Sequence, residues 1–258
     1  MDKRSYKFLL FFLLLILFGL NYPFLEEFLQ NSLFDYETGV VERVIDGDTL
    51  VINGSSIRLL GINTPEKGEL YYQEAKDFLE NKTLYKIVKL ESAQEDKDRY
   101  DRKLRYVFIG KENVNLELVE KGLANTYFPS GKDRYYNEFK NAWKKCAVNN
   151  LNLCEKSLNA CASCLELKEL NVEEDSLIIA NNCGYECNLT NWSIKDEGRK
   201  RFIFPNFTLK DEVEVKVGNN KNQENVLFWK GEEYVWTKTG DTLFFRDNDG
   251  KLVFWYNF

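Results

Sequence analysis

The sequence predicts a mainly β chain with a minority of helix: a small closed barrel of five strands carrying three helices, followed by a β-sandwich. Three observations predict it. Between Gly39 and Ile109 most apolar residues alternate with a period of two, as half-buried strands require. Helical periodicity breaks into or follows that stretch only three times. After Leu165, short apolar runs recur at near-regular spacing between Asn, Gly and Asp turns, the pattern of two stacked sheets.

The first element is "MDKRSYKFLLFFLLLILFGL". Lys3, Arg4 and Lys7 precede an unbroken apolar run from Phe8 to Leu20, 13 residues. That is short for a membrane-spanning helix and right for the apolar region of an export signal. No small-x-small cleavage pattern follows, and "NYPFL" can lengthen the run into a span. Basic residues lie before it and Glu26, Glu27, Asp35 and Glu37 after it, which places the N-terminus inside and the bulk outside. Residues 1–35 are therefore expected to be a signal anchor, or a cleaved signal peptide, plus a spacer. Either way the chain is expected to be exported.

Five strands are expected at "GVVERVI", "TLVI", "SIRLLGI", "LYKIVKL" and "KLRYVFI". Helices are expected at "YYQEAKDFLE", near residues 114–121, and near residues 134–144. Three strands, a helix, two strands and a helix suit a Greek-key barrel of the OB type over residues 36–145, which uses one face and its loops as a ligand site. A cysteine-bearing connector (146–164) leads to the sandwich (165–258). "GDTL" at 47–50 recurs at 240–243 with nothing similar around it, so it is not a duplication. "DNDG" at 247–250 lacks the downstream ligands of a calcium loop and reads as a hairpin turn.

Composition narrows the chemistry. The net charge of −6 argues against a generic phosphate-neutralising coat, though not against a cleft with a few placed arginines. The chain has no histidine, which removes Ser-His-Asp and Cys-His constellations, HExxH zinc hydrolases and imidazole-based nucleases. Any catalysis falls to Asp, Glu, Arg and a metal. "VIDGDTLVINGSSIRLLGINTPE" (44–66) collects such groups: Asp46, Asp48 and Glu66 around Arg58, with Asn63 and Thr64 just before the stiffening Pro65. "EDKDRYDRKLRYVF" adds Arg102 at the start of the fifth strand. Phosphodiester hydrolysis needs those parts: guanidinium forks for phosphate oxygens, oxygen ligands for a hard cation, and a carboxylate to order water. Alone, "DGDT" would be a tight turn and Arg58 a solvated strand residue. Arg99 and Arg105 are read as exposed neighbours of the site.

"VIDGDTL", "IRLLGINTPE", "DRYDRKLRYVF" and "GLANTY", in that order, resemble the staphylococcal-nuclease (thermonuclease) family over about residues 39–145. The resemblance implies an OB barrel with three helices and calcium-dependent hydrolysis of DNA and RNA with little sequence preference. It aligns Arg58 and Arg102 with the phosphate-clamping arginines and Glu66 with the general base or water-orienting group. Asp48 aligns with a metal-ligating aspartate, Thr64 with a residue whose carbonyl binds one calcium ion, and Asp46 with the outer shell. Tyr100 precedes the second arginine, and Tyr127 or Phe128 is placed to stack a base. One departure stands out: Asn63 replaces the family's second metal carboxylate, so weaker metal binding is expected. The alternative is a surface module that binds nucleic acid or protein with little or no catalysis.

"CNLTNWSIKDEG", "FIFPNFTL" and "TGDTLFFRDNDGKLV" resemble the lamin-tail domain, an immunoglobulin-like sandwich, which implies a role in holding the enzyme near an unknown surface ligand, or a spacer. Six cysteines lie in the connector and early sandwich: Cys146, Cys154, Cys161, Cys164, Cys183 and Cys187. "CASC" with "CGYEC" has the paired look of a four-thiolate zinc site. An exported chain with an even count favours disulfides, and these are the expectation, with zinc as the alternative.

Overall fold

The structure, a computed structural model, describes residues 36–258 and, before them, residues 8, 11–13 and 19. The expected signal anchor thus falls almost wholly outside the described residues, among which no helix is long and apolar enough to cross a membrane.

β1 (Tyr36–Asp46), β2 (Thr49–Ile52) and β3 (Ser55–Leu59) form an antiparallel meander. Its second turn is Asn53-Gly54, both with positive φ, the backbone that a tight two-residue hairpin demands. β5 (Ile87–Lys97) pairs with the other edge of β1, and β6 (Lys103–Ile109) pairs with β5. Parallel pairing of β6 with β3, Arg58 opposite Leu104, closes the five strands into a barrel. Val41, Leu50, Ile57, Leu59, Val88, Leu90 and Val107 fill it, alternate residues pointing inward as the pleat dictates.

"SIRLLGI" is not one strand. The chain turns at Leu60 and Gly61 and continues as β4 (Gly61–Asn63), which pairs with β8 (Asn125–Tyr127). Gly61 has φ 74°, and a Cβ there would come within 3.2 Å of the rings of Phe128 and Phe139. Only glycine makes that turn cheaply, and the turn swings Asn63 and Thr64 to the barrel mouth.

Three helices cover the barrel: α1 (Tyr72–Thr83), α2 (Val114–Glu120) and α3 (Tyr136–Asn149). Asn113 caps α2 by accepting from the Leu116 N–H. α3 runs five residues beyond the expected 144 because its apolar stripe, Phe139, Ala142, Trp143 and Cys146, continues at helical spacing. The Cys146–Cys154 disulfide then folds the connector back, and Leu153 and Cys154 join the barrel core.

The second core lies between two four-stranded sheets. One has the order β16 (Val226–Trp229), β15 (Glu212–Val217), β10 (Ser176–Asn181), β9 (Leu165–Asn171). The other has β13 (Arg201–Ile203), β12 (Ser193–Lys195), β17 (Thr242–Arg246), β18 (Leu252–Asn257); the short strands β11 (Cys187–Asn188) and β14 (Thr208–Leu209) pair with each other, as β7 (Glu112–Asn113) does with β6 in the barrel. Ile179 and Val213 from the first meet Ile194 and Phe245 from the second in one cluster around Trp192. "DNDG" is the β17–β18 turn, where Asp247 Oδ1 accepts from the N–H groups of Asp249 and Lys251. Cys161–Cys187 and Cys164–Cys183 tie the connector to the sandwich. The sulfurs of Cys161, Cys183 and Cys187 lie within 4.8 Å of one another, but all belong to disulfides, so no thiolate set for zinc exists here. The two domains meet along α3, where Trp143 packs edge-on against Phe244 and Trp255.

Candidate active site at the barrel mouth

Asp48 sits in the turn between β1 and β2. Gly47 makes that turn possible, since a Cβ there would lie 2.8 Å from Ala75 and 2.9 Å from Thr64. Asp46 Oδ1 accepts from the Asp48 N–H and fixes the turn. The Asp48 carboxylate is buried and aims inward. Its Oδ2 accepts from both the N–H and the hydroxyl of Thr64, 3.1 Å each, and its Oδ1 from the Thr49 hydroxyl. Burial first, and the Asp48 charge second, push the Asp46 carboxyl above its ordinary range.

Arg58 lies opposite Thr49 across the β2–β3 ladder. Its Nη2 is 3.1 Å from Asp48 Oδ2 and 3.3 Å from Asn63 Oδ1, while Nη1 donates to the Leu59 carbonyl at 2.6 Å. The oxygens of Asp48 and Asn63 therefore converge on a single point, occupied by a cationic nitrogen. Arg102, the residue just before β6, reaches the same turn: its Nη1 is 3.4 Å from the Thr49 hydroxyl, which itself bonds Asp48. Asp98 holds the rest of that guanidinium through Nε and Nη2. Burial pushes Asp98 up, but the Arg102 bonds outweigh it and hold its carboxyl below the usual range. The two guanidinium groups thus flank one aspartate.

The other expected residues divide. Tyr100 is exposed, with the Arg99 and Arg102 guanidinium groups 4.9 and 5.5 Å from its ring centre. Tyr127 is half-buried between the domains. Phe128 is a core residue, buried and packed edge-on against Tyr136 and Phe139, so its face is closed to a base. Arg105 is not the exposed neighbour expected of it: it is 4% exposed and paired with Glu37 and Asp96 at 2.8 and 2.6 Å. A residue that alternates out of the barrel can still be covered by the strand next to it.

Glu66 is half-exposed, and its partner was not foreseen. Arg199, in the β12–β13 loop of the second domain, lies 2.8 Å from Glu66 Oε1. In the same loop the Gly198 carbonyl accepts from Asn63 Nδ2 at 2.7 Å, and Glu197 Oε1 accepts from the Phe128 N–H. Lys195 and Arg201 on the flanking strands pair with Glu69. The available signal was the basic run "GRKR" at 198–201 in an acidic chain.

The root of that loop is acidic and buried. Burial, then the charge of Asp241, raises Asp196 to about 7; burial raises Glu197 to about 8, with Asp241 and Asp196 adding to it against the Phe128 N–H bond. Both values lie above those of the unfolded chain. The folded state binds these protons more tightly, so this contribution to stability is complete below about pH 4 and is lost as pH rises through about 7 and 8. The melting temperature is expected to fall between about pH 4 and 8 and to level off above that, and Glu197→Gln, which keeps an acceptor for Phe128, to flatten the fall. A level profile in both proteins would refute the assignment.

Residues 56–156 match the family described as Staphylococcal nuclease homologue. The chain is 35% identical over 130 residues to the thermonuclease of Staphylococcus intermedius, covering 46% of this chain and 77% of that one. The thermonuclease of Staphylococcus hyicus is 35% identical over 133 residues, 48% of this chain and 78% of its own. The chain belongs to the staphylococcal nuclease family. An uncharacterized endonuclease of Haemophilus influenzae is also similar, 37% identical over 101 residues, 37% of this chain and 56% of its own. The family match begins at Ser56, inside β3 of the nuclease domain, and ends at Lys156, past the Cys146–Cys154 staple, in keeping with a connector whose first half packs into that domain.

Proposed function

We propose that the chain is an exported, membrane-held, calcium-dependent nuclease that hydrolyses phosphodiester bonds of DNA and RNA with little sequence preference. One observation carries this reading: the Asp48 and Asn63 oxygens converge on the Arg58 Nη2, with Arg102 reaching the Thr49 hydroxyl that bonds Asp48, beside Thr64 and two residues from Glu66. The donor set is all oxygen, with neither imidazole nor thiolate, which fits a hard cation such as calcium. Asp48, Asn63 and the Thr64 carbonyl would hold the ion, and Asp46 would support Asp48. When bound, such an ion supplies Lewis acidity and favours deprotonation of a water.

The chain's own residues do the rest. Arg58, released from Asp48, and Arg102 clamp the phosphate and neutralise charge that grows toward the transition state. Glu66 orders the attacking water and accepts its proton. Tyr100, exposed beside Arg102, offers a face for a base. The N-terminal run would hold the domain at the membrane outer face, or direct its secretion if cleaved. The C-terminal sandwich is assigned an immunoglobulin-like, lamin-tail character, with a surface ligand of its own.

Asn63 supports a second reading. Its amide nitrogen donates to the Gly198 carbonyl and it brings no charge, so a module that binds nucleic acid without cutting it is the rival. Plasmid and RNA degradation by the full chain, titrated with calcium from micromolar to tens of millimolar, separates the two. Cleavage that rises with calcium and stops with chelator supports the nuclease. Tight binding without cleavage at every concentration supports the module.

A further inference from the structure

We propose that Arg199, presented by the β12–β13 loop of the second domain, is a third phosphate-binding guanidinium of the nuclease site, so that both domains line one nucleic-acid cleft. This rests on the nuclease reading above and extends its substrate-binding surface beyond the barrel.

Position is the first argument. Arg58 Nη2 touches Asn63 Oδ1, Asn63 Nδ2 touches the Gly198 carbonyl, and Arg199 follows Gly198 directly. One side chain and one peptide unit therefore separate the two guanidinium-bearing residues. Tyr127 lies within electrostatic reach of both Arg58 and Arg199.

The second argument is equivalence. Arg58 holds Asp48, and Arg199 holds Glu66. Each arginine is the resident counter-ion of a carboxylate that catalysis needs for another purpose. When the acid turns to an ion or a water, its guanidinium loses a carboxylate partner and can turn the freed donor to a phosphate oxygen. The Arg199 side chain is 58% exposed and that of Glu66 51%. A pair so open to water is weakly held and exchanges readily for a polyanion.

The third argument is presentation. The loop beneath Arg199 is fixed at four points: Gly198 by Asn63, Glu197 by the Phe128 N–H, the Glu197 N–H by Asp241, and Asp196 by the Lys200 N–H. Arg199 is thus an exposed cation on a rigid base, with Arg201 beside it at Glu69. A local basic edge on a chain of net charge −6 marks where a polyanion is meant to run.

The test is binding of a fluorescein-labelled, cleavage-resistant phosphorothioate single-stranded oligodeoxynucleotide to the full chain, by anisotropy, in the presence of calcium, between 50 and 300 mM KCl. Arg199→Ala is expected to weaken binding about tenfold at 100 mM salt and to lower the log–log salt slope by about 0.7, the loss of one phosphate contact. Arg199→Lys should keep the slope, Arg58→Ala should lower it, and Lys168→Ala, exposed on β9, should change neither. Unchanged binding by Arg199→Ala with sensitivity to Arg58→Ala would leave Arg199 as a strut between domains and overturn the proposal alone. Tighter binding by Arg199→Ala would show a loop that obstructs the cleft, which also overturns it. Binding insensitive to both arginines would overturn the nuclease-site reading itself.

Discussion

Replacing Arg102 with alanine is expected to lower kcat about 10²- to 10³-fold, while the melting temperature stays close to wild type. The first half follows from the role proposed for the guanidinium: it would meet charge that is larger in the transition state than in the bound substrate, and removing one such donor typically costs that much. The second follows from where it sits. Its pairing with Asp98 is partly solvated, with side-chain exposures of 23% and 17%, and pairs of that kind contribute little to stability. Arg58 is the contrasting case. Arg58→Ala should cost as much activity and also destabilise the fold by about 3–5 kcal/mol, because it leaves the Asp48 carboxylate buried without its cation. Added calcium should restore part of that stability by taking the vacated place. Steady-state cleavage kinetics beside thermal melting, with and without calcium, checks both variants. Near-full turnover by Arg102→Ala would remove the basis for the phosphate clamp.

Most of the barrel and half of the site could be read from the chain. Alternation located the strands because one face of each is buried and the other is not. The ordered motifs point to Asp48, Arg58, Asn63, Thr64 and Arg102, which the structure links by direct contacts or through Thr49, because they sit on or beside strands and turns whose pairing the pattern already implies; Glu66 follows two residues after Thr64 and pairs with Arg199. What could not be read was contact between distant segments. Arg199 is 133 residues from Glu66, and no periodicity links them. Phe128 follows a sheet residue in a motif that suggested stacking, yet the turn at Gly61 brings its ring against Phe139 and closes it off. Arg105 departs from its sequence expectation for the same kind of reason: its partners Glu37 and Asp96 come from β1 and β5. Disulfides are the sequence expectation for the cysteines, with zinc as the alternative, but spacing does not fix which cysteines pair; the packing of the connector on both domains does.

Asn63→Asp is expected to tighten half-saturation by calcium about 10- to 100-fold. The asparagine has a structural use here that an acid cannot fill: its Nδ2 donates to the Gly198 carbonyl at 2.7 Å, holding the second domain's loop against the site. A carboxylate would set oxygen against oxygen at that distance, so the loop must draw back. On the other side of the residue, the same change puts a second negative charge beside Asp48 where the oxygens already converge. Without an ion, two acids around a single Arg58 repel, and the apo protein should be less stable than wild type. With calcium, the added charge strengthens the ligand set, since affinity at oxygen sites follows ligand charge. Stability and calcium dependence should therefore move in opposite directions, a signature that simple damage to the fold does not produce. Thermal melting across a calcium titration reads both at once. An apo protein as stable as wild type, or a calcium midpoint no lower, would mean that Asn63 lies outside the ion's reach and that Asp48 and Thr64 hold it without help from β4.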